Sequence, residues 1–167
     1  MEAATILNLV STIAIVGSLL FAAVQIRDGQ RERSRDAQMV LANSFATPAF
    51  MDAMYAVLDL PDDLSRVELI EHLKGHESRV WYWLGAMEGL GLLVFHRAVA
   101  MELVDQAYAG PIMISWRKLS RYCTDRRDEA GREAQHEWFQ WLAERIAEYE
   151  VRTNRAPAQI EHRDWVP

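Results

Sequence analysis

Apolar and polar positions divide this chain into an uncharged N-terminal run, a long region patterned for helices, and a polar end. From Ala3 to Ile26, 24 residues pass without a formal charge, and the next ten, Arg27 to Asp36, contain four arginines. At ~1.5 Å rise per residue the run makes a helix of roughly 36 Å, enough to cross a hydrocarbon core of about 30 Å with some tilt. A cleaved signal peptide would need a basic leader and a small-residue cleavage site after a shorter apolar core. Only Met1 and Glu2 precede this run, and its far end, Phe21-Ala22-Ala23-Val24-Gln25-Ile26, continues without a turn. The pattern therefore predicts a transmembrane anchor over residues 1–27. Arg27, Arg31, Arg33 and Arg35 form a basic flank on its C-terminal side. By the positive-inside rule Met1 lies outside the inner membrane and the remainder in the cytoplasm.

Beyond the anchor, residues 28–46 read as a charged helical stalk that stops at Thr47-Pro48, because proline disfavours helix in the residue before it. Pro48 suits a helix start, with Phe50, Met51, Met54, Val57 and Leu58 at helical spacing. Leu60-Pro61-Asp62-Asp63 breaks the chain, and Ser65-Arg66-Val67-Glu68 has the form of a capping box opening a helix to about Lys74, where Gly75 can end it. From Val80 to Phe95 only Glu88 is charged. A helix apolar on every side is either a core helix or a membrane segment. At roughly 24 Å and with a central carboxylate it reads as the central helix of a bundle. Val80, Trp83, Leu84, Met87, Gly91 and Val94 fall on one face, and Gly85 and Gly89 offer a second helix a close approach.

A short helix from Met101 to Tyr108 is expected to stop at Ala109-Gly110-Pro111. The next, Ile112 to about Thr124, turns Ile114, Trp116, Leu119 and Tyr122 inward and Arg117, Lys118 and Arg121 outward. That basic row, with Arg126 and Arg127 beyond it, reads as a solvated face, the alternative being contact with anionic headgroups. The last helix, about Arg132 to Arg152, aligns Trp138, Leu142, Ile146 and Tyr149. A bundle domain over residues 47–152 and a loosely held tail over 153–167 complete an all-α architecture.

Charge narrows the partners. After Ile26 the chain carries 18 basic and 23 acidic residues, a balance that argues against nucleic acid as the main partner, since such affinity rests on neutralising phosphates. The single cysteine, Cys123, offers neither a disulfide framework nor a metal cluster. No cofactor motif is found. His72 and His76 stand four apart, but Gly75 separates them and neither His-Glu order of the zinc peptidases is present, so no metal site is assigned.

The candidates for catalysis are Arg66, His72 and Glu88. Arg66-x5-His72 and Arg155-x6-His162 fit the loose arginine-to-histidine spacing of all-helical ribonucleases of the HEPN type, in which the pair acts on a phosphodiester. With 16 arginines and five histidines such spacings also arise by chance. Glu88 must be paired, hydrogen-bonded or neutral in so apolar a helix; a core salt bridge or a bond to a tryptophan indole is the structural reading, a tuned proton carrier the functional one. The anchor holds a pattern of its own: Asn8, Ser11, Ile15, Ser18, Ala22 and Gln25 form one small and polar stripe, the kind of face along which helices pack in lipid. The stripe suggests self-association or docking to another membrane protein, with a polar pore lining as the alternative.

Taken together, the stretches FATPAFMDAMYAVLDLPDDLS, EGLGLLVFHRAVAMELVDQAYAGPIMISWRKL and EWFQWLAERI resemble the bacterial family called domain of unknown function 4760. They run from Phe45 to Ile146; His96-Arg97-Ala98-Val99-Ala100 departs from the glycine and acidic turn of that family. The resemblance implies a single N-terminal membrane helix before a helical domain and carries no catalytic residues. The expected protein is therefore single-pass, with lipid around its anchor, and acts by association without intrinsic catalysis. A membrane-tethered HEPN-like defence effector and an oligomeric pore are the alternatives.

Overall fold

The computed structural model describes residues 47–166, together with Phe21, Gln25 and Phe45. Two units divide the chain, Met1–Leu41 and Ala42–Pro167. In the first, the described Phe21 and Gln25 are helical and exposed. The remaining anchor-stripe residues Asn8, Ser11, Ile15, Ser18 and Ala22, the flanking Arg27, Arg31, Arg33 and Arg35, and the stalk apart from Phe45 lie outside the described residues. Among the described residues no helix is long and apolar enough to cross a membrane.

The second unit is all-helical among its described residues. Its elements are α1 (Pro48–Leu58), α2 (Arg66–Leu73), α3 (Glu77–Phe95), α4 (Met101–Ala130), α5 (Glu137–Thr153) and a single turn, α6 (Ala158–Glu161). Helix α1 starts as its sequence dictates: Thr47 is extended, its hydroxyl accepts from the Phe50 N–H at 3.2 Å, and Pro48 occupies the first turn, where a missing N–H costs nothing. Helix α2 opens on the capping box of Ser65 and Glu68 and closes on Lys74 and Gly75, both left-handed.

Helix α3 packs against α1 and α5, and α4 runs along α5, α1 and α2. Trp83, Phe50, Phe139, Leu84, Met87, Leu119, Leu142 and Ile146 are fully buried at their junction. A chain of tilted rings, Phe45 to Phe50 at 4.5 Å and Phe50 to Trp83 at 5.2 Å, seals one part of the core. Trp116 meets Phe139 edge-on at 5.1 Å in another. Packing of α3 on α5 depends on Gly91, where an added Cβ would fall 2.9 Å from the Trp138 carbonyl carbon and closer still to its oxygen.

Four expectations are corrected. The two helices foreseen on either side of Gly110-Pro111 are one helix of 30 residues, α4. Proline removes the bond to the Ala107 carbonyl, but Ala107 and Gly110 are exposed, so water can serve that carbonyl and the buried side of the helix continues. The close approach expected at Gly85 and Gly89 occurs instead on the opposite face, at Gly91, and those two glycines meet none of the described residues. Lys118, expected outward, is buried, whereas Ile114, expected inward, is 38% exposed. Finally α5 begins at Glu137, five residues late, because Gly131 takes the left-handed conformation that ends α4 and His136 takes it again at φ 59°.

Candidate functional site

The basic row on α4 turns out to grip the α1–α2 connection. Lys118 donates its ammonium to the Leu60 carbonyl and lies 3.2 Å from Asp62, which also pairs with Arg117 at 3.0 Å. Arg121 donates to the Asp63 carbonyl at 3.2 Å. Leu60-Pro61-Asp62-Asp63 supplies the acceptors: Lys118 is buried against it, whereas Arg117 and Arg121 are paired there with their side chains still exposed to solvent, as expected of a solvated face. Long lysine and arginine stems let α4 cover apolar surface while their heads reach loop oxygens.

Glu88, the carboxylate singled out in the apolar helix, sits half-buried where α3 meets the start of α5. Its Oε1 accepts from the Phe139 N–H at 2.7 Å. Helix α5 carries no side-chain cap of its own, since His136 makes no capping bond. Glu88 therefore caps α5 from another helix, satisfying N-terminal donors and meeting the positive end of the helix dipole. The partner foreseen was a salt bridge or a tryptophan indole, and the one found is a backbone N–H; the indole Nε1 of fully buried Trp83 has no partner among the described residues. Burial pushes the Glu88 carboxyl above its ordinary value, outweighing the backbone donation from Phe139 that pulls it down, with Glu137 adding to the rise.

Around that cap the groups are locked. Arg127 donates to the Gln135 carbonyl at 2.7 Å, to Gln140 at 2.6 Å and to the His136 carbonyl at 3.1 Å, which holds the left-handed turn in place. Burial and the neighbouring Arg127 and Arg126 press the His136 imidazole toward its neutral form. Cys123 is buried, and desolvation pushes its thiol up to about 12, so at neutral pH it is a packed thiol without nucleophilic character.

The candidate pair Arg66 and His72 does not converge. Both lie on α2, six residues and about 9 Å of rise apart and on different sides of the helix. Arg66 pairs with Glu129 at 3.2 Å, and its N–H is accepted by Asp125 at 2.9 Å, so α4 caps α2 much as Glu88 caps α5. His72 is exposed in a shallow depression shared with Leu64, Glu68, Glu71 and Lys74. His76 is exposed at the start of α3, and among the described residues no cluster of three or more histidine, cysteine or acidic side chains could hold a metal.

The second pair does converge. Arg155 Nη2 and His162 Nε2 stand 3.4 Å apart at the edge of an open groove of 560 Å³ lined also by Asp105, Gln106, Glu150 and Thr153. Arg155 is held there by Glu161 at 2.6 Å and faces Glu102 at 3.8 Å, so the polar end of the chain is tied back to the start of α4. The arginine's hydrogen bond keeps the Glu161 carboxyl below its ordinary value.

With the geometry in place, comparison with known proteins decides the family. The family model of the domain of unknown function DUF4760 matches residues 12–146. The chain belongs to the DUF4760 family. Within the DUF4760 match lie Arg66, His72, Glu88 and the helix-to-helix caps of α2 and α5, whereas Arg155, His162 and the groove they edge lie beyond its end at Ile146. No curated protein and no solved structure matches the chain.

Sequence reasoning marked Glu88 correctly as a group needing a partner, and missed Asp125, Lys118 and Arg127. These three stand in a long run of charges on α4, where nothing local separates a side chain that grips a loop from one that is solvated. The sequence also missed that α3 carries an apolar face that none of the described residues covers. Trp81 is 61% exposed and Tyr82, Leu92 and Leu93 are exposed beside it, around the open Gly85 and Gly89. A helix apolar all round offers no polar stripe to identify its outer side.

Proposed function

We propose that this member of DUF4760 is a single-pass protein of the inner membrane, with its N-terminus outside and its helical domain in the cytoplasm, that acts through protein association. Its partner is another copy or a second membrane protein. The observation that carries the reading is the exposed apolar face of α3, where Trp81, Tyr82, Leu92 and Leu93 surround two glycines with no covering element among the described residues. Contiguous apolar surface of this kind marks interaction sites. The other chemically suggestive groups of the family match, Glu88, Arg66 and Cys123, are engaged in capping, pairing or packing. The anchor is supported by the uncharged run Ala3–Ile26 and its arginine flank, and the stripe Asn8, Ser11, Ile15, Ser18, Ala22 and Gln25 adds a second surface for helix packing in lipid.

Expression of the full chain, followed by carbonate extraction and crosslinking in the native membranes, tests this reading. The expected result is chain retained in the membrane pellet and captured as crosslinked species larger than a monomer. Chain released into the soluble fraction, or monomer alone after crosslinking, contradicts it.

A second reading, a membrane-tethered effector of HEPN type, is favoured by one observation, the 3.4 Å approach of Arg155 to His162. Glu161 and Glu102 neutralise that arginine, and Asp105 and Glu150 line the same groove, so a phosphodiester would approach against negative charge. The double variant Arg155→Ala, His162→Ala separates the readings: the association account expects no change in any RNA-dependent phenotype, and loss of such a phenotype would favour the effector.

A further inference from the structure

We propose that the groove where the end of α3 and the start of α4 meet the C-terminal half of α5 binds a small organic phosphate with a flat body, a nucleoside monophosphate. The inference stands apart from the association reading and rests on other residues.

The groove has a volume of 450 Å³, within the range of small-molecule sites. Three arginines, Arg97, Arg145 and Arg152, line it together with one carboxylate, Glu148. It is therefore positive by two charges in a chain whose net charge is −6. Its rings are Phe95, Trp141 and Tyr149. Phe95 is 51% exposed and stands nearly perpendicular to Trp141, with ring centroids 5.8 Å apart, so the two form adjoining walls.

Structural duties account for two of the arginines. Arg145 pairs with Glu148 at 2.7 Å, and Arg152 lies over the Tyr149 ring at 5.4 Å in the last turn of α5, where a cation suits the helix dipole. Arg97 has no such duty: it is exposed, and its guanidinium makes no hydrogen bond or ion pair among the described residues. Its backbone is left-handed at φ 57° and closes α3, the Arg97 N–H donating to the Val94 carbonyl and the Ala98 N–H to the Leu93 carbonyl, both at 2.9 Å. Glycine takes that conformation without strain and arginine does not. A strained backbone beneath an unpaired guanidinium, at the lip of a groove, marks a side chain kept for a ligand.

Charge and shape limit what that ligand is. Guanidinium forks match phosphate oxygens, and ring faces accept a planar base whatever its identity. Carboxylates stand on either side. Trp141 also borders the depression of Glu133, Glu137 and Glu144, and Met101 is followed on α4 by Glu102 and Asp105. An extended polyanion or a sheet of anionic lipid would meet those carboxylates, whereas one phosphate with one base fits between them.

The test titrates the full chain in detergent with AMP, GMP, CMP and UMP, followed by calorimetry and tryptophan fluorescence. The expected result is saturable binding of at least one of the four. That binding is at least about tenfold tighter than that of inorganic phosphate or glycerol 3-phosphate, which lack the base, and of the matching nucleoside, which lacks the phosphate. Arg97→Gly should weaken it at least about tenfold and leave the thermal midpoint unchanged or raised, because the variant loses a charge-assisted bond and the backbone strain together. Phe95→Leu should weaken the nucleotide and leave inorganic phosphate as it was. Absence of binding for all four nucleotides would overturn the proposal. So would inorganic phosphate or glycerol 3-phosphate bound as tightly as any nucleotide, which would make the groove a bare anion or lipid-headgroup site. Full affinity in Arg97→Gly, with a lowered midpoint, would make Arg97 a structural residue and overturn it as well.

Discussion

Replacing Gly91 by alanine lowers the stability of the bundle by about 2 kcal/mol, the net of an overpacking cost near 3 and a helix-propensity gain near 1. The new Cβ would sit 2.9 Å from the carbonyl carbon of Trp138, which belongs to the first turn of α5 and is held by that helix's own bonding. Backbone cannot rotate away as a side chain tip can, so α3 and α5 must part. Their separation would stretch the Glu88 bond to Phe139 as well. The same change at Gly85 or Gly89 meets none of the described residues and stabilises by up to about 1 kcal/mol through helix propensity alone. Chemical denaturation of the full chain in detergent, comparing the three alanine variants, reads this directly. Equal effects at all three positions would mean that α3 and α5 do not meet at Gly91.

Glu88→Ala leaves the start of α5 without its acceptor and costs about 1–3 kcal/mol, the penalty for a buried donor deprived of its partner. Glu88→Gln keeps an oxygen for the Phe139 N–H and loses only the charge, so its cost stays below about 1 kcal/mol. The two variants also differ from the parent in pH dependence. Burial raises the Glu88 carboxyl above its value in the unfolded chain, so the folded state holds this proton more tightly. The contribution of this group is therefore greatest below the unfolded value and declines as pH rises through the raised folded one. Either substitution removes that decline. Unfolding measured from pH 4 to pH 7 should show the parent gaining relative to Glu88→Gln as the pH falls; a gain toward high pH would mean that the cap, and not burial, governs the carboxylate.

How far the sequence could be read depended on whether a signal was local. The Thr47-Pro48 start, the Ser65 to Glu68 capping box and the Gly75 stop are local devices, and each appears where the pattern put it. The buried face of α3 was legible because bulky apolar residues recur on it. Pro111 misled because its effect depends on which side of the helix loses the bond, which only the packed chain decides. Lys118 misled for a similar reason: its acceptor, the Leu60 carbonyl, lies 58 positions away and is a backbone atom with no mark in the sequence. Glu88 stands between these cases. Its environment announced that a partner was required, but the partner is the N–H of Phe139, and any residue except proline could have supplied it. The candidate site divides in the same way, since the Arg155 to His162 spacing was visible and its crowding by Glu102 was not.

The measurement closest to the central claim is a count of chains per particle. Full chain extracted from membranes into nanodiscs at low density, labelled once and examined by stepwise photobleaching, should give mostly two or more steps per particle. Single-step particles throughout, for the parent chain with no other protein in the disc, would contradict self-association.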